Sequence, residues 1–317
     1  MTAISVVVCA HDERRWSQLC AALRSLELQS TPAHEVVVVV DHNDALLARV
    51  RAELPVRAVA NTLARGLGGA RNSGVAAVSG SVVAFLDDDA MASPQWLARL
   101  AAAYADPAVA GAGGSAHPLW DGRRPPWFPP EFDWVIGCSY LGMPETVQEV
   151  RNLFGCNMSF RRSLLEELGG FRLGYGCDET ELCIRLRQRW PDKRLLYIPE
   201  ASVQHHVSAQ RMRLRRFVAR CYFEGGSKAV VSHLVGRTRA LSEEYRYTRG
   251  VLPAGVRRGV GEFLRRGRLA GLTRAAVIGI GLLSTVAGYV AGSVCTDRAA
   301  RRRGWAGEDG PGGAQSD

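Results

Sequence analysis

The chain has 317 residues, 47% of them hydrophobic, and a formal net charge of +9. That length and apolar content exclude a disordered or low-complexity chain and leave room for one large core plus an appendage. The charge is uneven: residues 1–204 carry 20 basic and 23 acidic side chains, and residues 205–317 carry 20 and 8.

In chain order, residues 4–10 form a valine-rich apolar run that reads as a buried strand. Helical spacing follows over 16–28. A second valine strand, 36–40, ends at Asp41. Then come a short helix over 46–54, a weak strand over 56–60, and a helix over 69–78 entered through a glycine-rich turn. Residues 82–86 are another buried strand, ending at Asp87-Asp88-Asp89. A helix follows over 94–104, with proline near its first turn. Doubly apolar strands alternating with helices predict a mostly parallel α/β sheet. Ligands of such sheets bind beyond the carboxyl ends of the strands. His11, Asp12, Glu13, Asp41 and Asp87 to Asp89 all fall there.

Residues 117–135 are rich in proline and tryptophan and read as a loop. A strand is expected over 156–161, a short helix over 163–168, and a helix over 180–188 with Asp178 and Glu179 at its entry. A strand over 195–198 is closed by Pro199, with His205-His206 after it. Residues 212–231 form a basic helical stretch. Residues 275–295 are 21 positions without a charge, flanked by Arg274 and Asp297. That length can cross a bilayer core, and the alternative is a buried or in-plane helix, since Ser284, Thr285, Tyr289 and the glycines weaken the apolar signal. The basic C-terminal third suits an anionic partner, either membrane lipid or nucleic acid, or a plain solvated surface. A Gly-rich polar tail over 304–317 is expected to be disordered. The division predicted is 1–230 catalytic, 231–274 basic and helical, 275–295 a membrane-spanning or membrane-associated helix, and 296–317 a polar tail. None of the eight cysteines forms a C-x-x-C pair, and no targeting segment precedes the first strand, so a reduced, cytoplasmic domain is expected.

Chemistry concentrates in the carboxylates. Three at one strand end repel unless a cation joins them, and Mg²⁺ or Mn²⁺ prefers oxygen ligands shared with substrate phosphates. The alternative is a solvated acidic turn capping the next helix. Asp41 can accept from a nucleobase N–H, or cap a turn. Arg65–Asn72 contains G-L-G-G-A-R, which lacks the third glycine of a dinucleotide fingerprint. Its helix start can still present N–H groups and Arg71 to an anion. Asp178-Glu179-Thr180-Glu181 offers a general base, or a capping box between Asp178 and Glu181. His205 can join a metal or diphosphate site, or be structural.

Taken in order, these motifs resemble the family 2 glycosyltransferases of GT-A fold, over about residues 4–230. Val6–Glu13 is similar to that family's opening strand and donor loop, with Ala10, His11 and Glu13 toward the nucleotide. The resemblance makes Asp41 the base contact and turns Arg71, in Ala70-Arg71-Asn72, toward the nucleotide. It makes Asp87-x-Asp89 the D-x-D motif, with Asp89 a direct metal ligand and Asp87 and Asp88 near the donor. Gly155–Arg162 is similar to the acceptor-side segment before the turn at Gly169–Phe171, which places Asn157 with the acceptor. The family's Glu-Asp pair is reversed here, so Glu179 takes the base position with Asp178 as alternate. The usual Asp-Asp is Asp41-His42.

The resemblance implies an inverting transfer from a nucleotide-diphosphate sugar, by analogy a UDP-sugar, to a glycan, lipid-linked or small-molecule hydroxyl. It implies a divalent metal, Mn²⁺ or Mg²⁺, held by Asp87, Asp89 and His205. Trp120, Trp127, Phe128 and Trp134 either stack on an acceptor or pack their loop; Trp127 and Trp134 are the acceptor candidates. A single-pass or peripheral enzyme at the cytoplasmic face of the membrane is expected. A sugar nucleotidyltransferase would need a glycine-rich basic loop after the first strand, where Cys9–Glu13 stands. A non-enzymatic, membrane-anchored sugar-binding protein would leave the carboxylates unused. Nucleic acid is not an expected partner, since the arginines lack a groove-reading motif.

Overall fold

The computed structural model describes residues 2–173 and 176–302. Its centre is a nine-stranded mixed sheet. The strands are β1 (Ile4–Ala10), β2 (Glu35–Val40), β3 (Arg57–Ala60), β4 (Val82–Asp87), β5 (Ala90–Ala92), β6 (Val109–Trp120), β7 (Gln148–Glu149), β8 (Asn157–Arg161) and β9 (Arg194–Val207). Their order is β3-β2-β1-β4-β8-β6-β9-β5, with β7 added on β9. β3, β2, β1 and β4 run parallel, and β8 pairs antiparallel to both β4 and β6. From β1 the chain builds outward to β2 and later returns to the other side as β4. The strand ends between β1 and β4 are therefore a topological switch point, where a crevice opens.

Helices cover both faces: α1 (Trp16–Glu27), α2 (Asp44–Glu53) and α4 (Trp96–Ala103) on one, α3 (Leu67–Ala77), α5 (Arg162–Glu167) and α6 (Asp178–Arg189) on the other. Val6 and Val8 face the first cluster and Val7 the second, all fully buried. Alternation across a doubly covered sheet explains the unbroken valine runs. Each such side chain contributes about 1.5–3 kcal/mol on burial. Gly74 is required by close packing: a Cβ there would sit 2.4 Å from a Val7 methyl.

The C-terminal part is helical: α7 (Leu214–Val235), α8 (Arg237–Ala240), α9 (Ser242–Arg246), α10 (Leu252–Arg266) and α11 (Leu269–Arg302). α11 holds a stretch, Leu269–Thr296, long and apolar enough to cross a membrane, with mean hydropathy 1.8. One of its faces lies directly on α7. A Cβ on Gly225 would come within 1.9 Å of the Thr285 carbonyl oxygen, and one on Gly288 within 1.9 Å of that of Tyr222. The glycines thus allow two helix backbones to touch. The opposite face leaves Leu272, Ile280, Leu283 and Val294 exposed.

Several expectations need correction. Residues 117–120 are strand, not loop: β6 continues through Pro118 to Trp120 and pairs with β9 throughout. β9 likewise does not stop at Pro199. A register irregularity between Gly114 and Ala116 absorbs the mismatch, as bulges do for an extra residue. His205 and His206 are consequently on a strand, opposite Pro118 and Leu119. The loop ends in a 3₁₀ turn, Pro130–Ile136. Residues 296–302 extend α11 where a polar tail was expected, and residues 303–317 lie outside the described residues.

Candidate active site

The crevice begins where β4 ends. Cys9 of β1 is in register with Asp87 of β4, so the loop after β1 faces the Asp87–Asp89 turn. Ala10 is buried at the end of β1, while His11 and Glu13 are exposed at the mouth. Arg15, from the same loop, donates to Asp88 Oδ1 at 2.7 Å and lies 3.3 Å from Asp89 Oδ2.

Asp87, Asp89 and His205 offer ligand atoms within 4.8 Å of one another. β5 pairs with β9 so that Ala90 faces His205, which carries the imidazole to the strand end. Its Nε2 stands 3.1 Å from Asp89 Oδ1 and 4.0 Å from Asp87 Oδ2. Arg211 reaches Asp89 Oδ2 at 3.2 Å. Burial and the neighbouring Asp89 push the Asp87 carboxyl up. Burial also raises Asp88, to about 7, against the pull of Arg15. Asp89 is buried too, yet His205, Arg211 and Arg15 hold it well below the usual carboxylate range. Asp88 Oδ2 is buried without a hydrogen-bond partner, and the buried Asp89 Oδ1 meets the His205 imidazole. An orphaned carboxylate oxygen in a dry site is costly. The Asp87 and Asp89 carboxylates and the His205 imidazole form a donor set that fits a divalent cation such as Mn²⁺ or Mg²⁺.

Arg71 ties the far side of the crevice. It is 2% exposed and donates to Asp178 Oδ1 and Oδ2 at 3.1 and 3.0 Å and to the Gly155 carbonyl at 3.0 Å. The alternative reading, a capping box between Asp178 and Glu181, is not what forms. The residue before the helix, Cys177, makes no side-chain cap. Asp178 is committed to Arg71, and Glu181 is bonded to Arg185 at 2.8 Å. Asn72, next to Arg71, accepts from Phe171 N–H and donates to Phe171 carbonyl, each at 2.8 Å. The Ala-Arg-Asn motif therefore fastens both the helix carrying Asp178 and Glu179 and the turn before it.

Glu179 is left free of that clamp. Together with Arg71 and Asp87 it lines a cavity of about 690 Å³. Burial, then the adjacent Asp178, pushes its carboxyl up to about 8, with Arg71 pulling the other way. Asp41 sits at the end of β2, where it accepts from Asn61 Nδ2 at 2.6 Å and from Gly66 N–H at 2.9 Å. Burial raises its pKa, but hydrogen bonds from Asn61, His42 and Gly66 outweigh it, so the net shift is downward.

Two acceptor expectations fail on geometry. Asn157 is fully buried. It accepts from the Trp96 indole at 2.8 Å and donates to the Ser115 and Ala201 carbonyls at 2.9 and 2.8 Å. It joins β8 to its neighbours and has no group left for a ligand. Trp127 packs on Phe128 and Phe217, away from the cavity lining. Trp134 does line the cavity, its indole donating to Tyr247 Oη at 3.1 Å. Sequence reasoning missed Arg15, Arg211 and Asn61, because isolated surface-type residues carry no local signal of the carboxylates they meet.

The profile of Glycosyl transferase family 2 matches residues 5–169. A glucosyl-dolichyl phosphate glucuronosyltransferase of Haloferax volcanii is 33% identical over 244 residues, covering 73% of this chain and 78% of that one. A pre-mycofactocin glycosyltransferase of Mycobacterium tuberculosis is 30% identical over 202 residues, 61% of this chain; the match spans 41% of that relative. Among solved structures, the mannosyltransferase PcManGT of Pyrobaculum calidifontis, in complex with GDP-Man and Mn²⁺, superposes with TM-score 0.57 at 18% identity over 90% of this chain and 87% of that one. GalNAc-T7 with UDP, GalNAc and Mn²⁺ gives TM-score 0.54 at 18% identity over 72% and 51%. The structural matches establish a GT-A-like fold, and the sequence matches set aside the nucleotidyltransferase and non-enzymatic alternatives. The chain, with its carboxylates gathered at the switch point of such a sheet, belongs to glycosyl transferase family 2 and is a glycosyltransferase.

Proposed function

We propose that this glycosyltransferase is inverting and metal-dependent, taking a sugar from a nucleotide-diphosphate sugar, a UDP-sugar by family analogy. One observation carries the reading. Of the adjacent pair Asp178 and Glu179, the first is locked in the Arg71 ion pair, while the second faces the cavity that also contains Asp87.

In this reading the acceptor hydroxyl oxygen attacks the anomeric carbon, its proton passes to Glu179, and the bond to the diphosphate breaks with the electron pair leaving on that group. Inversion follows from a single displacement. A carboxyl with a pKa near the working pH suits a general base. Asp87, Asp89 and His205 would hold the divalent ion, which supplies charge neutralisation for the diphosphate. Asp41, Ala10, His11, Glu13 and Asp88 bound the nucleoside side of the crevice, and Arg71 acts from beneath, through Asp178.

The acceptor we infer is lipid-linked. Support comes from the name of the Haloferax relative, which specifies a dolichyl phosphate glycoside, and from the apolar helix α11. That helix lies along α7, which bears Arg215, Arg216 and Arg220, so a peripheral position at the cytoplasmic face fits better than a full span. The catalytic unit then comprises residues 1–230, with the 231–295 extension as its membrane-proximal part. The test is a transferase assay with Mn²⁺ and a panel of nucleotide sugars, using product anomer analysis. A retained anomeric configuration, or full activity of Glu179→Gln, overturns it.

A further inference from the structure

The cavity that begins at Asp87 and Glu179 does not end on polar side chains. Its outer wall includes Phe132, Trp134 and Leu252, and on α11 Leu282, Val286 and Val290. These last three follow one another at intervals of four, so they form one stripe of the helix. Gly281, Gly288 and Gly292 form a neighbouring stripe, already used against Phe132, Phe217 and α7. Val286 and Val290 are 51% and 56% exposed, and beyond them Leu283 is 71% exposed. An apolar path therefore leads from the reaction centre out onto the unpartnered face of α11.

Charge along this path is selective. Arg220 and Lys228 on the cavity wall are paired with Glu224, Arg151 with Glu244, and Arg246 with Glu243. Arg237, at the start of α8, also lines the cavity and is exposed. It stands 5.9 Å from the Tyr289 ring on α11, and among the described residues no carboxylate pairs with it. An unneutralised guanidinium beside an apolar channel suits a phosphate attached to a hydrocarbon chain.

We propose that the outer half of this cavity is the acceptor's lipid subsite: the hydrocarbon chain lies along Leu282, Val286 and Val290, and Arg237 holds the phosphate that joins the chain to the sugar. This rests on the lipid-linked acceptor reading above and assigns it to specific residues. The chain leaves the cavity over Leu283, so the remainder stays in the bilayer while the sugar reaches Glu179. The continuity of the channel with the reaction centre argues for the acceptor as occupant, since a bulk phospholipid has no need to reach Asp87.

The test uses the full chain and a dansyl-labelled farnesyl phosphate, with farnesol, inorganic phosphate and phosphatidylglycerol vesicles as competitors. Farnesyl phosphate is expected to displace the probe, and inorganic phosphate is not. Val286→Asp and Val290→Asp weaken probe binding about tenfold or more, since a carboxylate replaces the apolar wall. Arg237→Ala reduces farnesyl phosphate to the affinity of farnesol. Leu272→Asp, exposed on α11 ten positions before Leu282 and outside the cavity lining, leaves probe binding unchanged. Equal binding by the wild type and both valine variants overturns the subsite, as does displacement by phosphatidylglycerol vesicles alone. Thermal shift with UDP, GDP and Mn²⁺ is run on the same proteins. Loss of nucleotide binding with probe binding intact would count against the donor reading only. Transfer to a farnesyl-phosphate-linked sugar that the valine and Arg237 variants leave unchanged would count against the lipid subsite only, whereas transfer to unlipidated acceptors alone would count against the lipid-linked reading itself.

Discussion

Arg71 and Asp178 lie 107 positions apart and meet through both carboxylate oxygens at 3.1 and 3.0 Å. The contact joins the helix after β3 to the helix that carries Glu179. It occupies Asp178 and leaves the adjacent Glu179 outside the ion pair.

Removing one partner has a large cost. Arg71→Met leaves a buried carboxylate alone, and its unfolding free energy in urea should fall by about 3–5 kcal/mol. Asp178→Asn should destabilise comparably, because the guanidinium loses its counter-charge.

The pH dependence tests the base. A base must be deprotonated, and Glu179 is pushed up to about 8, first by burial and then by Asp178. Transfer rate should therefore rise with pH and level off above about 8. Asp178→Asn removes a charge that raises this pKa, so the rising limb should move to lower pH. Glu179→Gln should lose about 10²–10⁴-fold in kcat with donor binding retained. A limb that stays in place in Asp178→Asn would show that another group sets it.

The Asp87, Asp89 and His205 set makes metal dependence testable. Chelation should suppress transfer, and Mn²⁺ should restore it. A nucleoside diphosphate with Mn²⁺ should raise the melting temperature, and Asp89→Asn should abolish that rise and lower transfer by about 10²-fold or more. An unchanged Mn²⁺ shift in Asp89→Asn would place the ion elsewhere.

Asn157 gives a contrasting result. Asn157→Leu strands the Trp96 indole N–H and the Ser115 and Ala201 carbonyls. It should cost about 2–4 kcal/mol of stability by chemical denaturation. Acceptor KM, measured at a temperature where the variant remains folded, should stay near wild type. A KM effect without destabilisation would return Asn157 to the acceptor site.

The α7–α11 contact is equally specific. Gly225→Val or Gly288→Val drives a side chain into a backbone carbonyl 1.9 Å from the new Cβ. Loss of about 3 kcal/mol or more is expected, with a lower melting temperature. Leu283→Ser, on the exposed face, should change stability by no more than about 0.5 kcal/mol.

The strand-and-helix alternation, the acidic strand ends and the uncharged C-terminal stretch were legible in the sequence. Valine runs on a doubly covered sheet, carboxylates at switch-point loops and a long charge-free helix are local patterns, set by burial and backbone period. Pro118 and Pro199 misled the reading of β6 and β9, since a proline's cost inside a strand is absorbed here by a register shift with a distant partner. Asn157 misled in the same way: a polar residue in a strand can serve a ligand or a neighbouring backbone, and only the neighbours decide. The pairing of Asp178 with Arg71, the placing of His205 beside Asp89, and the cavity wall lent by α11 all came from tertiary structure. Each depends on contacts between residues tens to more than a hundred positions apart, and no period or spacing along the chain encodes such a distance.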